Sequence, residues 1–178
     1  DSGDEGALTS EPLSKPVIYN ATFLGRGVGS SGSDAAINLK EYGGVEFYNS
    51  IVADFGENGV EVDSGAGLTS YTRWQNGDIK FENNIWYKAG SSLSDFTPQS
   101  FMVNYLGNAA NNNVLSDPQF IGLDRESNKI LDPRPALNGP AYSSAQKAYP
   151  AGFTAVDYIG AFGGDLWINN WTALYQNG

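Results

Sequence analysis

The sequence predicts an all-β fold: a right-handed parallel β-helix, a solenoid of about three rungs, with a C-terminal cap that includes a short helix. Three observations carry this expectation. Between Val17 and Tyr87 the chain is a succession of short runs rich in β-branched and aromatic residues, bounded by Gly, with no helical apolar period. Three of these runs are versions of one another: Ile18-Tyr19-Asn20-Ala21-Thr22-Phe23, Phe47-Tyr48-Asn49-Ser50-Ile51-Val52 and Phe81-Glu82-Asn83-Asn84-Ile85-Trp86. Their shared asparagines, Asn20, Asn49 and Asn83, recur at intervals of 29 and 34 residues, within the range of about 20–50 residues that marks stacked repeats.

Residues 1–16 are polar and acidic and are interrupted by Pro12 and Pro16, so they read as a leading loop. Residues 17–96 hold the rungs, with strand-length runs at Val17–Leu24, Ala36–Tyr42, Val45–Phe55, Gly59–Asp63 and Ile79–Tyr87. Ala36-Ile37-Asn38-Leu39-Lys40 and Gly59-Val60-Glu61-Val62-Asp63 fill corresponding gaps between the copies, as a second strand type would. Asn58-Gly59 and Asn76-Gly77 supply turns. Gly25-Arg26-Gly27-Val28-Gly29 has the glycine density of a phosphate loop, but no Lys-Ser/Thr follows and Ser30 breaks the G-x-G-x-x-G spacing. It reads as a β-helix turn.

Beyond Gly90 the repeat fades, and residues 97–178 read as a capping region of the same domain. Thr97 suits an N-cap and Pro98 a first helical position for a short helix through Phe101–Leu106. Asn111–Asn113 reads as a polar loop, Val156–Phe162 as a last strand, and Leu166–Tyr175 as a Trp-rich turn or helix.

The recurring Asn20, Asn49 and Asn83 have a physical rationale. A bend between two parallel sheets demands the left-handed backbone region, which Asn tolerates. A stacked Asn can also hydrogen-bond its equivalents above and below, forming a structural ladder.

Composition excludes several function classes. The 178 residues include no His and no Cys, so a Ser-His-Asp triad, a thiol nucleophile, a disulfide and ordinary zinc, copper or haem sites are ruled out. Ten Lys+Arg against 20 Asp+Glu give a net charge of −10, which makes nucleic acid and anionic membranes poor partners. No apolar run is long enough to span a membrane. Aromatic residues make up 13% and so argue for a packed core. The chain opens at Asp1 with neither an initiator Met nor a signal peptide, so it reads as a processed or excised piece.

Residues able to carry chemistry are few. Calcium is the cofactor the composition fits, because hard cations take carboxylate and carbonyl oxygens. The candidate ligands are Asp1, Asp4 and Glu5 in the leading loop, Asp54 and Glu57 after the second copy, and Asp157 with Asp165 near the tail. None sits in an EF-hand or a G-G-x-G-x-D repeat; unliganded surface acid is the alternative reading. Glu61 and Asp63 lie at i, i+2 on one strand face, as paired carboxylates or as solvent-facing charges. Trp74, flanked by Arg73 and a Gln-Asn-Gly turn, is the aromatic best placed to stack on a sugar. Trp86, Trp167 and Trp171 have spacings that suit packing instead.

The tail carries a resemblance. Asp117-Pro118-x-Phe120, Leu131-x-Pro133 and Gly139-Pro140-Ala141 resemble the closing segment of secreted bacterial right-handed β-helix proteins. With Asn20-Ala21-Thr22-Phe23, Gly43–Ile51, Asp132–Ala136, Val156–Phe162 and Trp171-Thr172, about residues 15–175 are similar to the C-terminal half of a group of large exported proteins of Gram-negative bacteria. Members of that group often carry a lipoprotein anchor or a secretion-system tail and are hypothetical proteins. The resemblance implies the fold and a secreted or outer-surface location, but no active site. The expected function is therefore a non-catalytic scaffold or assembly module, whose partners are a second copy or missing N-terminal rungs. The alternative is a carbohydrate-binding or carbohydrate-active β-helix that uses Ca²⁺ on a glycan.

Overall fold

A computed structural model describes residues 8–30, 35–88, 91–123, 131–169 and 172. The strands come in sets. β1 (Val17–Tyr19), β2 (Thr22–Leu24) and β3 (Ile37–Leu39) form the first; β4 (Val45–Tyr48), β5 (Ile51–Ala53) and β6 (Val60–Val62) form the second. β7 (Ile79–Glu82) and β8 (Ile85–Tyr87) begin a third. Each strand pairs in parallel with its counterpart in the next set, giving the orders β1-β4-β7, β2-β5-β8 and β3-β6. β9 (Val114–Leu115) adds to β8, while β10 (Phe120–Leu123) and β11 (Leu131–Pro135) form a separate antiparallel pair. The helices are short: α1 (Ser70–Gln75), α2 (Ser100–Leu106) and α3 (Pro140–Ser143). The chain is thus β-rich, with its strands mostly in parallel sheets. In the third set the place of β6 falls to Phe96, whose carbonyl accepts from Gly59 N (2.8 Å) and Val60 N (2.9 Å).

Successive side chains on a strand alternate between faces, so parallel register stacks like positions into columns. Ile18, Phe47 and Phe81 form one column and Phe23, Val52 and Trp86 another. Their rings interlock, with centroids 5.4 Å apart for Phe23–Phe47, 5.9 Å for Phe47–Phe81 and 5.9 Å for Phe81–Trp86. Val60 and Val62 close the third side, and Met102 and Leu106 of α2 join the same cluster. A second, smaller cluster lies behind β5 and β8, where Ile51, Ala53 and Ile85 meet Ala141 and Ile159. β5 is therefore apolar on both faces, which explains its unbroken Ile-Val-Ala run.

Asn20, Asn49 and Asn83 turn the corners between the paired strands, with φ of 53°, 48° and 58°. Their amides do not bond to one another as a ladder. They reach outward to the returning C-terminal segment instead. Asn83 Nδ2 donates to Ala145 O (2.9 Å), and Asn49 exchanges two bonds with the Lys147 backbone (2.9 and 2.7 Å). Asn20 donates to Tyr158 O (2.8 Å) and accepts from the Tyr149 hydroxyl (2.7 Å). The reason is geometric: the left-handed corner directs this side chain away from the interior, and the following residue does the stacking. Ser50 Oγ accepts from Ala21 N, Asn84 Oδ1 from Ser50 N, and Asn113 Oδ1 from Asn84 N.

Two expected elements differ, and one helix adds to those expected. α1 was not foreseen, because its polar face and short length give no readable period. α2 starts at Ser100 with Gln99 as N-cap, since Met102 N and Val103 N both donate to Gln99 O; Thr97 and Pro98 lie before it. Residues 156–162 form bends, with no strand. Their backbone groups are spent on corners: Gly160 N donates to Asn49 O (2.8 Å) and Ala161 N to Thr22 Oγ1 (2.8 Å). Gly160 is at φ 98°, and a Cβ there would stand 2.8 Å from Ile51 Cδ1. Trp167 is exposed and stacks on Phe162; Trp171 lies outside the described residues.

Candidate functional site

β1, β2 and β3 are each the terminal strand of their sheet, and among the described residues no strand pairs with their outer edges. All three belong to the first set, so the three outer edges that no described strand pairs lie together at one end of the molecule. The side chains there show the same asymmetry. Ile18, Phe23 and Ile37 are half-buried, whereas their register partners Phe47, Val52 and Val60 are 0% exposed. Between them lies an apolar cavity of about 200 Å³, lined by Pro16, Ile18, Phe23, Ile37, Leu39 and Phe47. The opposite end is covered by Phe96, α2 and β9.

The outer face of β1-β4-β7 carries the densest polar network. Lys15 bridges Glu46 and Asp78, at 3.0 Å each, and Asp78 also meets Arg73 Nε at 2.8 Å. Tyr48 donates to Glu46 (2.9 Å), and Lys147 pairs with Glu82 (2.6 Å) while standing over the Tyr48 ring. Burial pushes the Asp78 carboxyl up, but hydrogen bonds from Lys15 and Arg73 outweigh it and hold the group below its ordinary value. Glu46 is lowered in the same way, burial being outweighed by Lys15 and Tyr48. Asp132, bonded by Arg134, is also lowered. Hydrogen bonds to carboxylates raise Lys15 and Lys147.

These shifts set a pH window. The lowered carboxylates contribute stability above their unfolded value near 3.8, and it is lost as pH falls through the lower folded values. The raised lysines contribute below their unfolded value near 10.5, and that part is lost as pH rises through the higher folded values. The melting temperature is expected to be flat between these limits and to drop outside both. Asp78→Asn should flatten the acid limb. Thermal melts across pH check this; a slope through about pH 5–8 that Asp78→Asn leaves unchanged would contradict it.

The residues singled out from sequence are dispersed. Asp54 sits at a left-handed corner after β5, and Glu57 is exposed. In their loop the Lys88 ammonium donates to Gly56 O (3.1 Å) and Glu57 O (3.0 Å). Asp157 and Asp165 are exposed, and Arg134 donates to Gly164 O beside Asp165. Among the described residues no three acidic side chains form a group able to hold a metal; Asp1, Asp4 and Glu5 lie outside those residues. Glu61 and Asp63 line one open cavity of about 520 Å³, with Asn58 bonded to Glu61.

The ligand-binding candidates Trp74 and Arg73, adjacent on α1, are split. Arg73 is only 3% exposed, because it is held by Asp78, by Tyr42 O (2.9 Å) and by the Tyr42 ring. Trp74 is half-buried and lines a groove. Sequence reasoning missed the groove's other walls, Lys80, Glu82 and Tyr105. The alternation of β7, with Ile79 and Phe81 inward, was the signal that placed Lys80 and Glu82 outside.

Among the described residues no helix is long and apolar enough to cross a membrane. No family model, curated protein or solved structure matches the chain.

Proposed function

We propose that the chain is a section of right-handed parallel β-helix serving as a non-catalytic scaffold, secreted or on the outer surface of a Gram-negative bacterium, and that its first turn is an assembly surface. The single observation that carries the reading is the open end. Three parallel sheets terminate together there, with half-buried Ile18, Phe23 and Ile37 over an apolar cavity. Free strand edges template further strands, and an apolar rung end needs a cover. The recurrence of each strand beside its counterpart one set later supports the solenoid, and parallel crossovers are right-handed in about 98% of cases. The location rests on the resemblance of the tail segments to exported proteins and on a composition high in Gly, Asn, Ser and Thr and low in Lys.

A second copy meeting this end is the testable form of the proposal. Light scattering and sedimentation of the purified chain are expected to show association that grows with concentration. Ile37→Lys, which places an ammonium in the open floor, is expected to reduce it by at least about tenfold, since a buried unpaired charge costs well over 1.4 kcal/mol. A monodisperse monomer at high concentration, with residues 1–16 protected from protease, would overturn the assembly surface.

A further inference from the structure

A groove of about 400 Å³ runs along the outer face beside β7, away from the open end. Its size falls within the roughly 300–1,000 Å³ of small-ligand sites. Trp74 and Tyr105 form one wall; Gln75, Lys80, Glu82 and Asn111 provide the polar positions. The Trp74 ring is held in place by its aromatic neighbours, stacked on Tyr71 (5.6 Å, 14°) and packed against Phe101 (4.7 Å), with Tyr105 edge-on at 6.5 Å. Ordering this aromatic wall on binding therefore costs little entropy.

The polar positions retain hydrogen-bonding capacity. The exposed Gln75 amide has no side-chain bond among the described residues. Asn111 uses its NH₂ on Tyr105 O (2.7 Å) and keeps its amide oxygen. Lys80 approaches Glu46 only at 3.5 Å, and Glu82 engages Lys147 through one oxygen. Burial, with the Glu82 charge adding to it, pushes the Tyr105 phenol up to about 12, so it remains a neutral hydroxyl.

We propose that this groove binds a neutral oligosaccharide, one pyranose lying with its apolar face on Trp74, bordered by the perpendicular Tyr105 ring, while its hydroxyls exchange hydrogen bonds with Gln75, Lys80, Glu82 and Asn111. An amphipathic ring with an apolar face and a polyhydroxylated edge matches a site that is aromatic on one side and mixed donor and acceptor on the other. A polyanion is disfavoured, because Glu82 lies in the groove and the whole chain carries a net charge of −10. The site is independent of the open end, so it stands or falls separately from assembly.

The test is a titration of the chain, followed by tryptophan fluorescence and by side-chain amide NMR, against cello-, xylo-, manno-, malto- and chitohexaose, with polygalacturonate as the polyanionic control. At least one neutral hexaose is expected to saturate both signals and to move the Gln75 amide resonances. Gln75→Ala, at an exposed side chain whose loss leaves the fold intact, should weaken binding up to about tenfold, as for one hydrogen bond. Trp74→Ala should abolish it. Lys80→Ala guards against the possibility that Trp74→Ala simply unfolds, and should also weaken binding. No response to any neutral hexaose at millimolar concentration, binding unaltered by both Gln75→Ala and Lys80→Ala, or response to the polyanion alone would overturn the proposal.

Discussion

Phe47→Ala is expected to lower the free energy of unfolding by about 3–5 kcal/mol, the usual cost of removing a fully buried Phe whose neighbours cannot collapse into the gap. Phe47 is 0% exposed and sits mid-column between Ile18 and Phe81, with the Phe23 ring of the adjacent column packed against it. Both neighbours are anchored in hydrogen-bonded strands, so the cavity remains. Phe23→Ala removes the same atoms from the outermost position of the adjacent column, where the ring is only half-buried. Its cost should be roughly half as large, because less area leaves water and the hole opens toward the end of the molecule. Urea denaturation of the two variants measures the difference directly. Equal losses would mean that the first turn is as enclosed as the second, which would also count against the open end as an assembly surface.

The contrast between these phenylalanines shows what a sequence of this kind discloses. The repeat was legible because stacking forces like residues into like positions: Ile18, Phe47 and Phe81 share a column, and so do the corner asparagines. The left-handed corners were legible for a chemical reason, since few residues other than Asn and Gly accept φ near +50°. The destination of the Asn side chains was not. It depends on the segment 145–160, which returns from far along the chain and has no repeat of its own. α1 escaped notice for a similar reason. Six residues cannot display a period, and its place is set by Arg73 reaching Asp78 and Tyr42. The groove beside it needs α1, β7 and α2 together, so only Trp74 stood out beforehand.

Asn49→Ala is expected to cost about 3–5 kcal/mol, and Asn49→Gly about 1–2 kcal/mol less. Asn49 does two separable jobs. Its backbone holds a left-handed corner at φ 48°, which costs an Ala roughly 1–2 kcal/mol and a Gly almost nothing. Its amide, 0% exposed, donates to Lys147 O (2.9 Å) and accepts from Lys147 N (2.7 Å). Loss of both bonds leaves the N–H and C=O of half-buried Lys147 without these partners, at about 1–1.5 kcal/mol each, the net worth of a hydrogen bond. The Ala–Gly difference therefore measures the corner, and the Gly–Asn difference measures the clamp on the returning segment. Chemical denaturation gives both. Trypsin supplies an independent reading, because Lys147 is itself a cleavage site and should be cut faster in either variant than in the parent chain. If Ala and Gly cost the same, the corner does not depend on left-handed geometry; if the cut at Lys147 is not accelerated, the Asn49 amide is not what holds the segment against the sheets.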